Sequence, residues 1–71
     1  MYKESIMDEL RQIEIDVVEG ERRLAEKEAL LIELKQRNED TRRVEAELDV
    51  MRRSQLDREQ NRQRLLSLLH P

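Results

Sequence analysis

Residues 36–41 read QRNEDT and separate two segments in which apolar residues recur with the period of a helix. Asparagine tolerates the left-handed backbone in which many helices end, so Asn38 is a candidate for the end of a first helix. Asp40 and Thr41 are residue types that cap the start of a helix. The apolar repeat also slips out of phase across this stretch. We therefore predict a helix, a tight turn at about residues 38–40, and a second helix that folds back along the first.

Composition limits the kind of core that the chain can form. Of its 71 residues, 44% are charged and 1% are aromatic, which leaves little material for a globular interior. Such a composition is also typical of disordered segments. Against disorder, the aliphatic residues recur at helical spacing, and the sequence contains one Gly and one Pro. We expect one domain over residues 1–71, an all-α helical hairpin that buries a stripe rather than a centre.

The residues that several classes of site require are missing from the sequence. It contains no Cys, and His70 is its one His, so no disulfide or thiolate metal site can be proposed. No nucleophile–base pair or Gly-rich phosphate loop is recognisable. The longest apolar run, residues 29–32, is far shorter than the ~20 residues that span a bilayer, and residues 1–5 lack a signal-peptide pattern. We predict a cytoplasmic protein that is not an enzyme and that uses no cofactor or metal.

We name the apolar residues that line one face of a helix its seam. Such a seam predicts the first helix, from about residue 4 to about residue 37. A capping-box pattern at Ser5 opens it, and Gly20 and Lys27 occupy two of the seam positions. Its apolar members are Ile6, Leu10, Ile13, Val17, Leu24, Leu31 and Leu34. A glycine inside a helix costs up to ~1 kcal/mol relative to Ala. Three explanations are open for Gly20, namely a close backbone approach, room for a long side chain of the facing helix, or a tolerated surface glycine.

The first helix carries further apolar residues on a face roughly 130° round from the seam. We name this set the second stripe, and it consists of Met7, Ile15, Val18, Ala25, Ala29 and Ile32. One interpretation is a wide core-facing surface with small residues on its flank. The other is a contact surface for a second copy or for another protein, and the large β-branched residues favour it. We predict that the second stripe is a partner interface.

A second seam predicts the second helix, from about residue 41 to about residue 69, before Pro71. Its apolar members are Val44, Leu48, Met51, Leu65, Leu66 and Leu69. The inward positions between them are polar, and we name this set the polar interruption: Gln55, Arg58, Glu59 and Arg62. In one interpretation the arginine stems lie over Gly20 and Val17 while their charged groups reach acidic side chains and solvent. In the other, a polar pocket fixes the register or receives an acidic partner.

The charge distribution favours an antiparallel arrangement of the two helices. Residues 1–21 hold seven acidic and two basic side chains, whereas residues 52–64 hold five basic and two acidic ones. A reversal at residue 39 or 40 places these arms side by side, with Val17 near Arg62 and Glu14 near Arg64. Exposed ion pairs stabilise little individually, but their sum selects the direction of packing. One long continuous helix in an antiparallel dimer satisfies the same pattern and is the alternative fold.

The arginines of the second helix raise the possibility of nucleic-acid contact, since guanidinium groups suit phosphate. Those outside the polar interruption are Arg52, Arg53 and Arg64. Asp57 and Glu59 interrupt the run, the acidic arm neutralises it, and no aromatic residue lies there to stack on bases. The formal net charge of −3 also argues against non-specific binding. Nucleic-acid binding is therefore the alternative function.

Three segments resemble a group of short, uncharacterised helical proteins common in alphaproteobacterial genomes. These segments are Glu19-Gly20-Glu21-Arg22-Arg23, Asp40-Thr41 and Arg64-Leu65-Leu66. The group has an acidic-Gly-Glu-Arg segment, a Gly-x-Asp-Thr turn and a closing Arg-Leu-Leu, and the resemblance covers roughly residues 17–66. Asn38 stands at the turn glycine, and Gln63 stands where the group has an acid. The resemblance implies a bacterial cytosolic setting and a hairpin, and it supplies no mechanism.

The expected function follows from the helical pattern and from the lack of catalytic residues. We expect a helical protein–protein interaction or oligomerisation module without a membrane partner. Its hairpins would pair into a four-helix arrangement, as a homo-oligomer, or dock on a larger protein, because an isolated two-helix pair of this size is marginally stable.

Overall fold

Two helices make up most of the chain in the structure, a computed structural model that describes residues 2–70. The first helix, α1, spans Tyr2–Gln36 and the second, α2, spans Arg42–Leu69. They pack against each other along their length, within an envelope of 54 × 15 × 14 Å. The predicted all-α hairpin is confirmed, and the alternative of one continuous helix is wrong. α1 begins two residues before its expected start, and α2 begins one residue after its own.

The end of α1 shows why the chain reverses where it does. Asn38 has a φ of 57°, which is the left-handed conformation. Its backbone N–H donates to the carbonyl of Lys35 at 3.1 Å, and the N–H of Glu39 donates to the carbonyl of Leu34 at 2.9 Å. These two bonds form a Schellman motif, which satisfies carbonyls that the helix end leaves without partners. The left-handed residue then directs the chain back along α1.

Asp40 caps the start of α2 more directly than Thr41 does. Thr41 occupies the N-cap position, but its side chain makes no capping bond. The backbone N–H of Arg42 donates to Asp40 Oδ1 at 3.1 Å, and its guanidinium bonds both carboxylate oxygens, at 3.1 and 2.9 Å. The side-chain bonds first, and the backbone bond second, lower the pKa of Asp40 from its ordinary 3.8. This contact therefore stabilises the fold above pH 3.8, and the contribution is lost as the pH falls through the lowered pKa.

The core is a stripe between the two helices, as the two seams predict. All of the apolar seam members are buried or half-buried. In the part of the chain that the structure describes, the largest fully buried side chains are Leu48 and Leu65, each 1% exposed. Lys27, at a polar position of the α1 seam, is half-buried, and its Nζ lies 2.8 Å from Glu47 Oε2 of α2. Because each helix contributes one stripe, burial decreases quickly to either side of the contact.

The helices pair in a slightly different register from the one expected. Arg62 Nε lies 3.6 Å from Glu14 Oε1, whereas the sequence predicted that Arg62 would face Val17. The expected partner of Glu14, Arg64, instead donates to Asn61 Oδ1 of its own helix. The midpoints of the Glu14–Arg62 and Lys27–Glu47 pairs fall at residues 38 and 37, one to three residues before the assumed reversal at residue 39 or 40. The antiparallel direction is unchanged.

Neither α1 nor α2 includes a stretch long and apolar enough to cross a membrane.

Candidate interaction surface

The second stripe is exposed along the whole of α1. Val18 is 66% exposed, Ile32 58%, Ile15 56% and Met7 41%, and both alanines are also exposed. The α1 seam takes the face that meets α2, so residues roughly 130° round from it cannot reach α2. The second stripe is therefore separate from the core and does not form a flank of it. Large apolar side chains aligned on one exposed face are unusual in a monomer and mark candidate contact surfaces.

Several other exposed apolar residues were not singled out from the sequence. They are Tyr2, Leu30, Val50, Leu56 and Leu68. Leu30 of α1 and Val50 of α2 line one side of the hairpin, in an open groove that also contains Met51 and Gly20. The remaining ones lie apart on their helices, and scattered exposed apolar residues are normal on protein surfaces. Unlike the second stripe, they follow no periodic pattern that a sequence could reveal.

Gln55 is the buried centre of the polar interruption, with 5% of its surface exposed. Its Nε2 donates to the backbone carbonyl of Val17 at 2.8 Å, across the helix pair. Its Oε1 accepts from Arg58 Nη1 at 3.2 Å. The carboxamide thus has a partner on both of its polar atoms, which removes the cost of burying it. A buried polar group that is satisfied in one alignment favours that alignment over others.

Gly20 makes room for this carboxamide. A Cβ at residue 20 would collide with Gln55 Oε1, would lie 2.9 Å from Gln55 Cδ, and would lie 3.0 Å from Arg58 Nη1. Gly20 is itself buried in the contact between the helices. Of the three explanations for this glycine, room for a long side chain of the facing helix is therefore the one that the structure supports. The contact between Gly20 and Gln55 fits one alignment of α1 and α2 and favours it over others.

Of the other three residues of the polar interruption, two lie at the contact between the helices and one lies on the surface. Arg58 and Arg62 are half-buried, and they stand at seam positions that continue the alternation of three- and four-residue spacings from Gln55 to Leu65. Glu59 was expected to face inward and is exposed, which corrects the prediction. The reason is periodic, because the seam steps from residue 58 to residue 62 and leaves no inward position at 59.

The three arginines proposed for nucleic-acid contact are all exposed, and two of them contact neighbouring side chains. Arg52 Nη2 lies 3.9 Å from Glu28 Oε1 of α1. Arg64 donates to Asn61 Oδ1 at 3.1 and 2.6 Å. Arg53, the third of the set, is exposed. Acidic or amide groups thus already engage two of the three guanidinium groups.

Ion pairs reinforce the contact between the helices near the turn. Glu47 of α2 accepts from Lys27 of α1, and Arg43 Nε lies 3.2 Å from its other carboxylate oxygen. The hydrogen bond from Lys27 is the main cause that lowers the pKa of Glu47 from its ordinary 4.5, followed by the bond from Arg43. The pair stabilises the fold above pH 4.5, and its contribution is lost as the pH falls through the lowered pKa.

Across residues 2–70, no three His, Cys, Asp or Glu side chains are grouped so that they could hold a metal ion. Comparisons of the chain with models of protein families, with curated proteins and with solved structures found no match.

Proposed function

We propose that this protein is a helical protein–protein interaction module without catalytic activity, and that it contacts its partner through the second stripe. One observation carries the proposal. The α1 seam is closed by α2, while the three large β-branched residues of the second stripe, Ile15, Val18 and Ile32, are each more than half exposed. Apolar area left in water is a driving force for association. A two-helix pair of this size also gains stability when it binds a partner.

The second stripe offers an anchor surface rather than a pocket. It lies on one regular helix, α1, which spans 35 residues. A partner that presents a helix to it can bury apolar side chains at successive turns, as in other helix-to-helix recognition. Acidic and basic residues flank the second stripe and can form the polar rim that such contacts have. A cytoplasmic, bacterial setting belongs to the same proposal and has the support of the resemblance described above.

Site-specific photo-cross-linking tests the proposal without assuming which protein is bound. A photoreactive residue replaces Val18 in one variant and Val50 of α2 in the other, in cells that express the full chain. These two valines are a matched pair, 66% and 61% exposed, and only the first belongs to the second stripe. We expect protein adducts from position 18, at least several-fold fewer from position 50, and loss of the former when Ile15→Glu is added. Equal yields from both positions, or none from position 18, contradict the proposal.

Nucleic-acid binding by α2, the alternative function, has less support. Arg52 and Arg62 lie near Glu28 and Glu14 of α1, so binding phosphate would compete with these ion pairs. A mobility shift of RNA or DNA that weakens steeply with added salt would favour this alternative. The absence of any shift at low salt would dismiss it.

A further inference from the structure

The second stripe follows a heptad repeat over residues 14–33, and glutamates border it on both sides. In a heptad lettered a to g, the a and d residues face a partner helix, and the e and g residues flank that contact. With Ile15 at position a, the a and d residues are Ile15, Val18, Arg22, Ala25, Ala29 and Ile32. The e and g residues of the same range are all glutamates, namely Glu14, Glu19, Glu21, Glu26, Glu28 and Glu33. The next g position is Lys35, which ends the run.

From this pattern we infer that the second stripe binds an amphipathic helix that carries lysine or arginine along both edges of its apolar face. The inference rests on the proposed function and states the chemistry of the partner. Charges at e and g govern partner choice, because they come within reach of the flanking charges of the other helix. Since both flanks of the second stripe are acidic, basic residues pair with them whether the partner runs parallel or antiparallel to α1.

The flanking glutamates are accessible to such a partner. All six are exposed, and the five that form ion pairs in the hairpin have side chains between 47% and 64% exposed. Glu26, for example, accepts from Arg22 at 2.7 Å. A carboxylate accepts several hydrogen bonds at once, so an existing contact leaves room for a second one. Residues 14–33 hold seven acidic and three basic side chains, so local pairing leaves an acidic excess on this part of α1.

The row of g positions already contacts arginines of a neighbouring helix within the hairpin. Arg62 Nε of α2 lies 3.6 Å from Glu14 Oε1, and Arg52 Nη2 lies 3.9 Å from Glu28 Oε1. α1 holds ten acidic and six basic side chains, whereas α2 holds five acidic and seven basic ones. The helix that covers the seam of α1 is therefore net basic. We expect the same complementarity from the helix that covers the second stripe.

A second copy of this chain fits the second stripe less well than a basic helix does. In a parallel pair of helices, g residues of one face e residues of the other, and in an antiparallel pair g faces g and e faces e. Over residues 14–33 every one of these contacts would bring two glutamates together, and such repulsion selects against a partner. Of the two arrangements expected from the sequence, docking on another protein is therefore favoured over pairing of two hairpins.

Two synthetic peptides test the inference with the full chain. Both are helices of about four heptads with isoleucine at a and leucine at d, and they differ in having lysine or glutamate at every e and g position. In isothermal titration calorimetry, we expect the lysine peptide to bind roughly tenfold more tightly than the glutamate peptide, or better. Added salt should reduce this difference, because exposed ion pairs are screened.

Charge variants separate the flanks of the second stripe from the net charge of the protein. Glu21→Lys combined with Glu26→Lys should weaken binding of the lysine peptide and strengthen binding of the glutamate peptide. Asp49→Lys combined with Asp57→Lys makes the same change of net charge at exposed positions of α2 and should leave both affinities unchanged. Equal effects of the two double variants would overturn the inference, because net charge alone would then attract the peptide.

The apolar part of the contact is tested by Val18→Glu, which adds a negative charge but removes apolar surface. It should weaken binding of the lysine peptide by roughly tenfold or more, while the matched Val50→Glu should not. Unchanged binding by the Val18→Glu variant would overturn the inference, as would equal affinity for the two peptides or binding of neither. Photo-adducts from position 18 that join two copies of this chain would also overturn it, yet they would leave the proposed function standing. Absence of adducts from that position contradicts the proposed function itself.

Discussion

At the scale of single residues, the hairpin depends on an exchange between Gly20 and Gln55. Glycine has a lower helix propensity than alanine, so Gly20 makes α1 by itself less stable. Because Gly20 has no side chain, the buried carboxamide of Gln55 fits against its backbone. That carboxamide donates a hydrogen bond to the backbone carbonyl of Val17, which joins α2 to α1 at one position along their length. A seam made of Leu, Ile and Val alone would allow neighbouring alignments of similar free energy, because apolar contacts have little directionality. The polar pair makes one alignment preferable.

A double-mutant cycle tests this exchange. Gly20→Ala should destabilise the hairpin by about 1–3 kcal/mol, because the added methyl overpacks the site and displaces a buried hydrogen-bonding group. In a Gln55→Ala background the space is empty, and the same Gly20→Ala change should become neutral or stabilising, in line with helix propensity. Urea unfolding followed by circular dichroism at a fixed protein concentration measures all four variants.

The reversal of sign is the decisive result of that cycle. If Gly20→Ala destabilises equally in both backgrounds, its effect does not come from Gln55. If it stabilises in both, the side chain of Gln55 swings aside at no cost, and the register must be fixed elsewhere. Gln55→Ala alone should destabilise the natural chain, because it leaves a cavity beside Gly20.

At the scale of the elements, the two helices are separated by a turn whose conformation depends mainly on Asn38. Its left-handed backbone allows both bonds of the Schellman motif, and these end α1 at Gln36. The carboxylate of Asp40 then starts α2 through its bond to Arg42. The bonds that satisfy both halves of the turn all lie within residues 34–42, so local contacts define the turn.

Substitutions at Asn38 should separate backbone conformation from side-chain chemistry. Asn38→Ala should lower the free energy of unfolding by roughly 1–2 kcal/mol, the cost of a left-handed conformation for a residue with a Cβ that has no local bonding. Asn38→Gly should cause no loss, because glycine adopts this conformation freely. Urea unfolding of both variants beside the natural chain measures the difference. Equal stability of the two variants would mean that the turn is imposed by the packing of α1 on α2.

The elements were predictable from the sequence because local signals define them. The period of Ile6, Leu10, Ile13 and Val17 reports one face of a helix, and the turn chemistry at Asn38 reports its end. The register was less predictable, since it depends on a contact between Val17 and Gln55, 38 positions apart. The inward placement of Glu59 failed for a related reason. A polar run gives no hydrophobic signal, and only the regular spacing from Gln55 to Arg62 shows which of its members face α1.

The candidate surface was partly predictable for the same reason. The second stripe has helical period, so its members could be named from the sequence, and the structure places them together on the exposed side of α1. Val50 and Leu56 follow no such period on α2, and their exposure depends on where the α2 seam falls. The charge pattern of the sequence predicted that the acidic arm would lie beside the basic one. It did not predict the specific pair of Glu14 and Arg62.

At the scale of the whole molecule, a hairpin 54 Å long and about 15 Å wide has much surface for little core. Small domains bury a low fraction of their surface, and their stability is correspondingly small. Among residues 2–70, the largest fully buried side chains are those of Leu48 and Leu65. If the second stripe is buried by a second copy, folding and association are linked, and stability depends on protein concentration.

Thermal unfolding at several concentrations measures this linkage. If the hairpins pair as the sequence analysis predicts, the midpoint of the natural chain should rise by several degrees for each tenfold increase in concentration, because dimer formation draws the equilibrium toward the folded state. Val18→Glu should abolish the rise and lower the midpoint to that of the isolated hairpin. Val50→Glu places the same charge on an equally exposed valine outside the second stripe and should retain the slope. A concentration-independent midpoint for the natural chain would show that the hairpin folds alone, and the stability of the fold would then reside in the seams and in the contact between Gly20 and Gln55.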